Sequence, residues 1–361
     1  MTISDAATRP ERLHDANAEV PDLNDVRLAA QVQHDLDHKT KPQGSLGRLE
    51  SLALQLALIQ GRPRPVLEAP QLVVFAADHG IAARGVSAFP AEVTRQMVAN
   101  FLAGGAAVSV LARQHGLALT VVDCGVAHDF EPQPGLVGAK VAGAERGTAD
   151  ASFGPAMSAR QRDQAIANGR RIVTRLPGNA LLLGEMGIAN TSAAALLMAR
   201  LTGQPLRACT GRGTGLDDGG LVRKLAVLEQ ALALHAGARE PLDALAALGG
   251  LEIATMAGAV LQAAAERRVI LVDGFITTAA VAVAAAVAPP VLQRCVFSHC
   301  SAESGHARWL QHLGVRPLLD LELRLGEGSG AALAWPLLEA ASRVLAEMAS
   351  FAAAGVSARR T

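Results

Sequence analysis

Apolar residues recur along this chain in two rhythms. Between residues 25 and 62 they follow helical spacing, interrupted by Lys39-Thr-Lys-Pro-Gln-Gly-Ser-Leu-Gly47. From residue 70 onward, short apolar runs alternate with helical patterns. The runs are Leu72 to Ala76, Leu119 to Val122, Ala180 to Leu183, Val269 to Val272 and Cys295 to Phe297. Polar residues, often with Gly, close each one: Asp78-His79-Gly80, Asp123-Cys124-Gly125, Gly184-Glu185, Asp273-Gly274 and Ser298-His299. Runs this short and this apolar fit strands buried on both faces. Their alternation with helices marks an α/β fold with a mostly parallel sheet. Helices are predicted over Ala91 to Leu102, Ala193 to Leu201 and Ala331 to Met348. A further largely apolar stretch, Val315 to Leu323, reads as a strand that hands over to the last helix at Glu327.

In an open parallel sheet, ligands bind beyond the carboxyl ends of the strands. Asp78, His79, Asp123, Glu185, Asp273, Ser301 and Glu327 are therefore expected to line one crevice. The pattern gives a place and leaves the chemistry open.

Composition narrows the classes of function. Hydrophobic residues make up 50% of the 361 and charged residues 18%, so a large core is available. Lys+Arg and Asp+Glu balance at 33 each, so no global field favours nucleic acid or an anionic membrane. Aromatics are 3% with no Tyr, which removes the usual base-stacking platform. Cys124, Cys209, Cys295 and Cys300 form no CxxC pair and read as free thiols of a reducing cytosol. The polar N-terminus lacks the apolar core of a signal peptide. The longest apolar run, Thr277 to Ala288, falls short of the roughly 20 residues that span a bilayer. The expectation is a cytoplasmic protein with neither membrane nor nucleic acid as partner.

Five stretches carry candidate chemistry. Arg324-Leu-Gly-Glu-Gly-Ser-Gly330 sets one carboxylate, Glu327, among three glycines, where bare backbone lets a small ligand approach. A glycine-rich turn with a solvated Glu is the plain alternative. Gly184-Glu185-Met186-Gly187 leads to Asn190, Thr191 and Ser192, which are good helix caps. With the free N–H groups of a first turn they also suit a phosphate. Cys209-Thr-Gly-Arg-Gly-Thr-Gly215 places Arg212 and Thr214 between glycines, as in an anion-binding nest, and Lys224 follows on the next helix. The loop is neither GxxxxGK[ST] nor GxGxxG, so nucleoside triphosphates and dinucleotides lose their main support. In the fourth stretch Ser301 and Glu303 are expected to open a helix. There His299 and His306 lie seven apart without further ligands at metal spacing, so no metal site is expected. In the fifth, Ser87 to Met97, Phe89 and Met97 offer apolar cover for a flat aromatic ring, or else simply pack against the core.

Taken in order, several blocks carry a resemblance. They are Lys41-Pro-Gln-Gly-Ser-Leu-Gly47, Asp78-His-Gly80, Gly184-Glu-Met-Gly187 with Asn190-Thr191, Gly211-Arg-Gly-Thr-Gly-Leu-Asp-Asp218, Gly249-Gly-Leu-Glu-Ile253, Ser301-Ala-Glu303 and Arg324-Leu-Gly-Glu-Gly328. From about residue 25 to 355 the chain resembles the nicotinate-nucleotide–dimethylbenzimidazole phosphoribosyltransferase family. It departs at Ala189, where the family usually has Gly, at Gly219, where an acidic residue is common, and at Cys300, a position often basic. These departures bear on the fine detail of phosphate contact.

The resemblance implies a homodimeric α/β enzyme with a Rossmann-like sheet. A loose leader over 1–24 would precede it. A large substrate-binding domain would span 70–325, and a smaller helical domain would combine 25–69 with 326–361. The enzyme would move phosphoribose from nicotinate mononucleotide to 5,6-dimethylbenzimidazole, with no metal or organic cofactor. Glu327 maps onto the family's catalytic base. Substrate binding would fall to Glu185, Gly187, Asn190 and Thr191, to Arg212, Gly213, Thr214, Gly215 and Lys224, to Ser301, Glu303 and Arg324, and to Ser87, Phe89 and Met97.

Overall fold

The computed structural model describes residues 20–357. Of the leader expected over 1–24, residues 1–19 lie outside the described part. Six strands form one sheet: β1 (Gln71–Ala77), β2 (Ala118–Gly125), β3 (Leu136–Gly138), β4 (Ala180–Met186), β5 (Val269–Val272) and β6 (Cys295–Phe297). Their order is β3-β2-β1-β4-β5-β6, and every neighbouring pair is parallel. This is the doubly wound Rossmann order, with its switch point between β1 and β4. The strands differ from the apolar runs mainly in length. β4 reaches past Leu183 to include Glu185, and β2 includes Asp123.

The central strands feed two cores with a period of two, as a pleated strand must. Val73, Phe75 and Ala77 point into one core; Leu72, Val74 and Ala76 point into the other. Leu181 and Leu183 oppose Ala180 and Leu182 in the same way, and Ile270 and Val272 oppose Val269 and Leu271. The first face is covered by the helices Ala159–Arg175, Asn190–Thr202, Leu251–Ala265 and Phe275–Val287. The second is covered by Val26–Asp37, Arg48–Gln60, Glu92–Leu102, Ala107–Gln114 and Ser329–Glu347. Helices from the two ends of the chain thus share one layer. Trp335 and Leu338 pack in the same core as Leu52 and Leu56. At the start of Arg48–Gln60, Glu50 accepts the Leu46 N–H at 2.9 Å and pairs with Lys41 Nζ at 2.8 Å, so the Lys41–Gly47 block closes that helix end. Among the described residues no helix is long and apolar enough to cross a membrane.

Two local expectations are corrected. The stretch Val315 to Leu323 is not a strand. Pro317 has no N–H to give to a ladder. Only Leu319 makes a bridge, to His299, with Leu318 N–H bonded to Phe297 O and Cys300 N–H to Leu319 O. The second correction concerns Ser301 and Glu303, which do not open a helix. That helix starts at His306, and Ser301 Oγ instead accepts the Glu303 N–H at 3.2 Å within a turn. Strand β3 went unforeseen because it is three residues long and largely exposed at the sheet edge. Cys124, Cys209 and Cys295 are buried free thiols, and Cys300 is half-buried.

Candidate active site

A cavity of about 320 Å³ opens beyond the carboxyl ends of β4, β5 and β6. Twelve of the residues expected from the sequence line it: Glu185, Gly187, Asn190, Thr191, Gly213, Thr214, Ser301, Glu303, Arg324, Glu327, Phe89 and Met97. Arg212 and Gly215 line an adjoining cleft that shares Gly213, Glu303 and Arg324 with it. Ser87 and Lys224 line neither, yet each touches the wall. Ser87 Oγ lies 3.3 Å from Thr214 Oγ1, and Lys224 Nζ donates to Thr191 Oγ1 at 2.9 Å and to Gly211 O at 3.3 Å.

Glu327 sits on an unusual turn. Gly326, Glu327 and Gly328 all have positive φ, at 80°, 65° and 96°. For a residue with a Cβ this conformation costs roughly 1–2 kcal/mol. It leads directly into the helix Ser329–Glu347, so the side chain stands at the helix mouth. The turn is pressed onto β4 so tightly that a Cβ at Gly184 would collide with Glu327 O. Glu327 is 5% exposed, and its Oε2 accepts the Val108 N–H at 3.3 Å. Burial raises its carboxyl above the usual range. The Val108 hydrogen bond opposes the rise, and the nearby Asp273 carboxylate adds to it.

Glu185, near the end of β4, is pushed up to about 8, first by burial. The Asn190 side-chain N–H bonded to it works the other way, and the carboxylates of Asp273, Glu252 and Glu327 reinforce the rise. Ala189 holds φ at 76° where the helix Asn190–Thr202 begins. That left-handed position is one Gly adopts freely, and Ala fills it here at some strain. Thr94 Oγ1 accepts the Ile188 N–H at 3.1 Å and ties this loop to the helix Glu92–Leu102.

Positive charge lies behind the glycine loop. Lys224 is fully buried, and burial pushes its ammonium down to about 8 against the pull of Glu303. Burial raises Glu303, while Lys224, the Gly213 N–H and Arg324 favour its ionised form. The Arg212 guanidinium pairs with Asp218 and donates to Leu216 O at 2.9 Å. The rest of the lining is largely apolar: Phe89 ahead of the helix Glu92–Leu102, Val93 and Met97 one turn apart on it, and Met186, Ile188, Phe275, Ile276 and Leu325.

Several strand-end residues expected here serve elsewhere. Asp78 Oδ2 accepts the Ala127 N–H, Asp123 Oδ1 accepts Gly125 and Val126 N–H, and His79 Nε2 pairs with Glu252 at 2.8 Å. Asp78 and Asp123 pin backbone at and just past the end of β2, while His79 is tied to the helix Leu251–Ala265. Asp273 lies behind the cavity wall and not in it. His306 Nδ1 accepts the Ser301 N–H at 2.8 Å, which leaves the proton on Nε2, 2.9 Å from Thr278 Oγ1. Burial pushes this ring down to about 3, so it stays neutral with both nitrogens engaged. No sequence signal marked the Val108 N–H, and Gly184 stood out only as part of the strand-closing Gly184-Glu185 pair, not as the seat of the Glu327 turn. Phe275 and Ile276 carried a weak signal, as apolar residues directly after a strand-end Asp-Gly.

A family model described as Phosphoribosyltransferase matches residues 22–356. The chain belongs to that family. This phosphoribosyltransferase is 68% identical over 346 residues to the nicotinate-nucleotide–dimethylbenzimidazole phosphoribosyltransferase of Variovorax paradoxus, covering 95% of this chain and 98% of the relative. It is 60% identical to the enzyme of the same name from Cupriavidus necator, covering 94% and 98%. A crystal structure of a phosphoribosyltransferase of that name from Thermus thermophilus superposes with a TM-score of 0.88 at 43% identity. That match covers 93% of this chain and all of that one.

Proposed function

We propose that this phosphoribosyltransferase carries phosphoribose from nicotinate mononucleotide to 5,6-dimethylbenzimidazole. The products are nicotinate and α-ribazole 5′-phosphate, the lower-ligand nucleotide of cobalamin. The observation that carries the reading is Glu327: a buried carboxylate of raised basicity, on a glycine-flanked turn, opening into a cavity with one apolar and one glycine-rich wall.

The chemistry asks for that arrangement. The leaving nicotinate is a pyridinium in the substrate, so it departs with the C–N bond pair and needs no proton. The acceptor attacks the anomeric carbon through its unprotonated ring nitrogen. Positive charge then arrives on the benzimidazole, and the N–H on its other nitrogen becomes acidic. Glu327 takes that proton, and a desolvated carboxylate is the better base for it. The configuration inverts from β to α, so the acceptor and the leaving group lie on opposite faces of the ribose. The wall of Phe89, Val93 and Met97 suits the flat acceptor. Thr191, the Gly211–Gly215 loop and the first turn of Asn190–Thr202 suit the phosphate, with Lys224 supplying charge from beneath. Most of the acceleration then comes from holding two rings about one carbon.

The test is direct. Purified protein mixed with nicotinate mononucleotide and dimethylbenzimidazole is expected to release nicotinate and form an α-configured nucleotide, resolved by chromatography and NMR. Absence of nicotinate release, or a β-configured product, refutes the reading.

A further inference from the structure

The turn that presents Glu327 is held from behind. Three consecutive left-handed residues do not support themselves, because a side chain at the middle position disfavours the conformation. Inside the turn, Ser329 donates back to Gly326 O from its N–H at 3.0 Å and its Oγ at 2.8 Å. The other anchor is Asp273, just past β5. Its Oδ2 accepts the Gly328 N–H at 3.2 Å and its Oδ1 accepts the Ala331 N–H at 3.1 Å. Asp273 is 1% exposed and does not line the cavity. His299 Nε2 lies 3.6 Å from Oδ1, and its ring fills the space where a Cβ on Gly330 would sit.

We infer that Asp273 is a positioning residue for the transfer reaction, which fixes the left-handed turn at Gly328 and Ala331 so that the Glu327 carboxylate faces the acceptor. The inference rests on Glu327 being the proton acceptor. Asp273 touches neither substrate and acts only through Glu327. Its charge has a second effect. The charged and titratable groups about Glu327 and its cavity are Asp273 after β5, Glu185 on β4, His299 and Glu303 after β6 and Arg324 on its own segment, while the helix Ala107–Gln114 contributes the Val108 N–H. A negative Asp273 makes the ionised form of Glu327 less favourable and so a stronger base.

The experiment compares kcat and both KM values, over about pH 5 to 10, for wild type, Asp273→Asn, Asp273→Glu, Glu327→Gln and the double variant Asp273→Asn/Glu327→Gln. Asn keeps the shape and its side-chain oxygen still accepts one backbone N–H, but its NH2 group cannot accept the other, so one of the two anchors is lost. The expected result for Asp273→Asn is a fall in kcat of about tenfold or more, with both KM values within about threefold of wild type. Its acidic limb moves to lower pH, because Glu327 has lost a neighbouring negative charge. In the Glu327→Gln background, Asp273→Asn adds no further loss, since the group it positions is already gone. Asp273→Glu restores the charge on a longer stem, so the limb returns toward wild type while kcat stays low. Losses that multiply in the double variant, or raised KM values with an unmoved limb, overturn the inference. A folding failure of Asp273→Asn assigns Asp273 to the fold alone and overturns it as well. Wild-type turnover in Glu327→Gln refutes Glu327 as the acceptor and is read separately.

Discussion

Replacing Glu185 with Gln should stabilise the folded chain at alkaline pH and leave it little changed in acid. The folded protein holds this carboxyl at about 8, against 4.5 for an unburied glutamate. Between those two values the native state keeps a proton that the unfolded chain has already released. Stability falls with rising pH wherever the native state binds more protons. The Glu185 contribution is therefore intact below pH 4.5, declines as pH climbs toward 8, and stays lost above it. At 1.36 kcal/mol per pH unit, the interval corresponds to a ceiling of about 5 kcal/mol. Gln has nearly the same shape, never ionises, and still offers an oxygen to the Asn190 side chain bonded to Glu185. The assay is urea unfolding of wild type and Glu185→Gln, followed by far-UV circular dichroism at about pH 5, 7 and 9. Titrating groups remote from Glu185 affect both proteins alike and cancel in the difference, leaving Glu185 with its coupled neighbours Asp273, Glu252 and Glu327. The Gln variant should gain steadily on wild type from the lowest to the highest pH. Two stability profiles that run parallel across this range would refute the assignment of a raised, buried carboxyl to Glu185.

Four further outcomes concern the kinetics. Glu327→Gln still accepts the Val108 N–H, so acceptor binding should persist while turnover drops by about 10²–10⁴-fold; near-wild-type turnover counts against the base. Because Glu327 is raised, wild-type kcat should also decline as pH falls through that raised value, a limb absent from the Gln variant. Lys224→Ala removes the cation that braces Thr191 and Gly211, and should raise the KM for the mononucleotide far more than that for the acceptor. Equal effects on both substrates would make the loop structural. Met97→Ala should reduce kcat/KM for dimethylbenzimidazole more than for plain benzimidazole, by the roughly 1–3 kcal/mol that a methyl contact in an apolar pocket contributes. One common factor for both acceptors would return Met97 to the core it also touches.

The chain's own pattern determined the sheet. A strand buried on both faces must be apolar at consecutive positions, and Leu72 to Ala76 obeys because Val73 and Phe75 serve one core while Leu72, Val74 and Ala76 serve the other. Glycines and capping residues after the strands marked where a ligand can approach backbone, and most of those residues do meet around one cavity. Tertiary structure decided the rest. The Val108 N–H reaches Glu327 across 219 residues of chain and Asp273 holds Gly328 across 55, and no local rhythm encodes either pairing. Asp78, His79 and Asp123 have the same strand-end position as Glu185. Asp78 and Asp123 serve backbone past β2 and His79 serves the helix Leu251–Ala265, because the strand order places β4 to β6 beneath the cavity. Lys224 shows the same division. Its place on a helix after the glycine loop was legible, whereas its burial behind that loop follows from how the helix packs. Hydrophobic periodicity records which faces leave water, but it carries no information about which distant backbone groups those faces bring together.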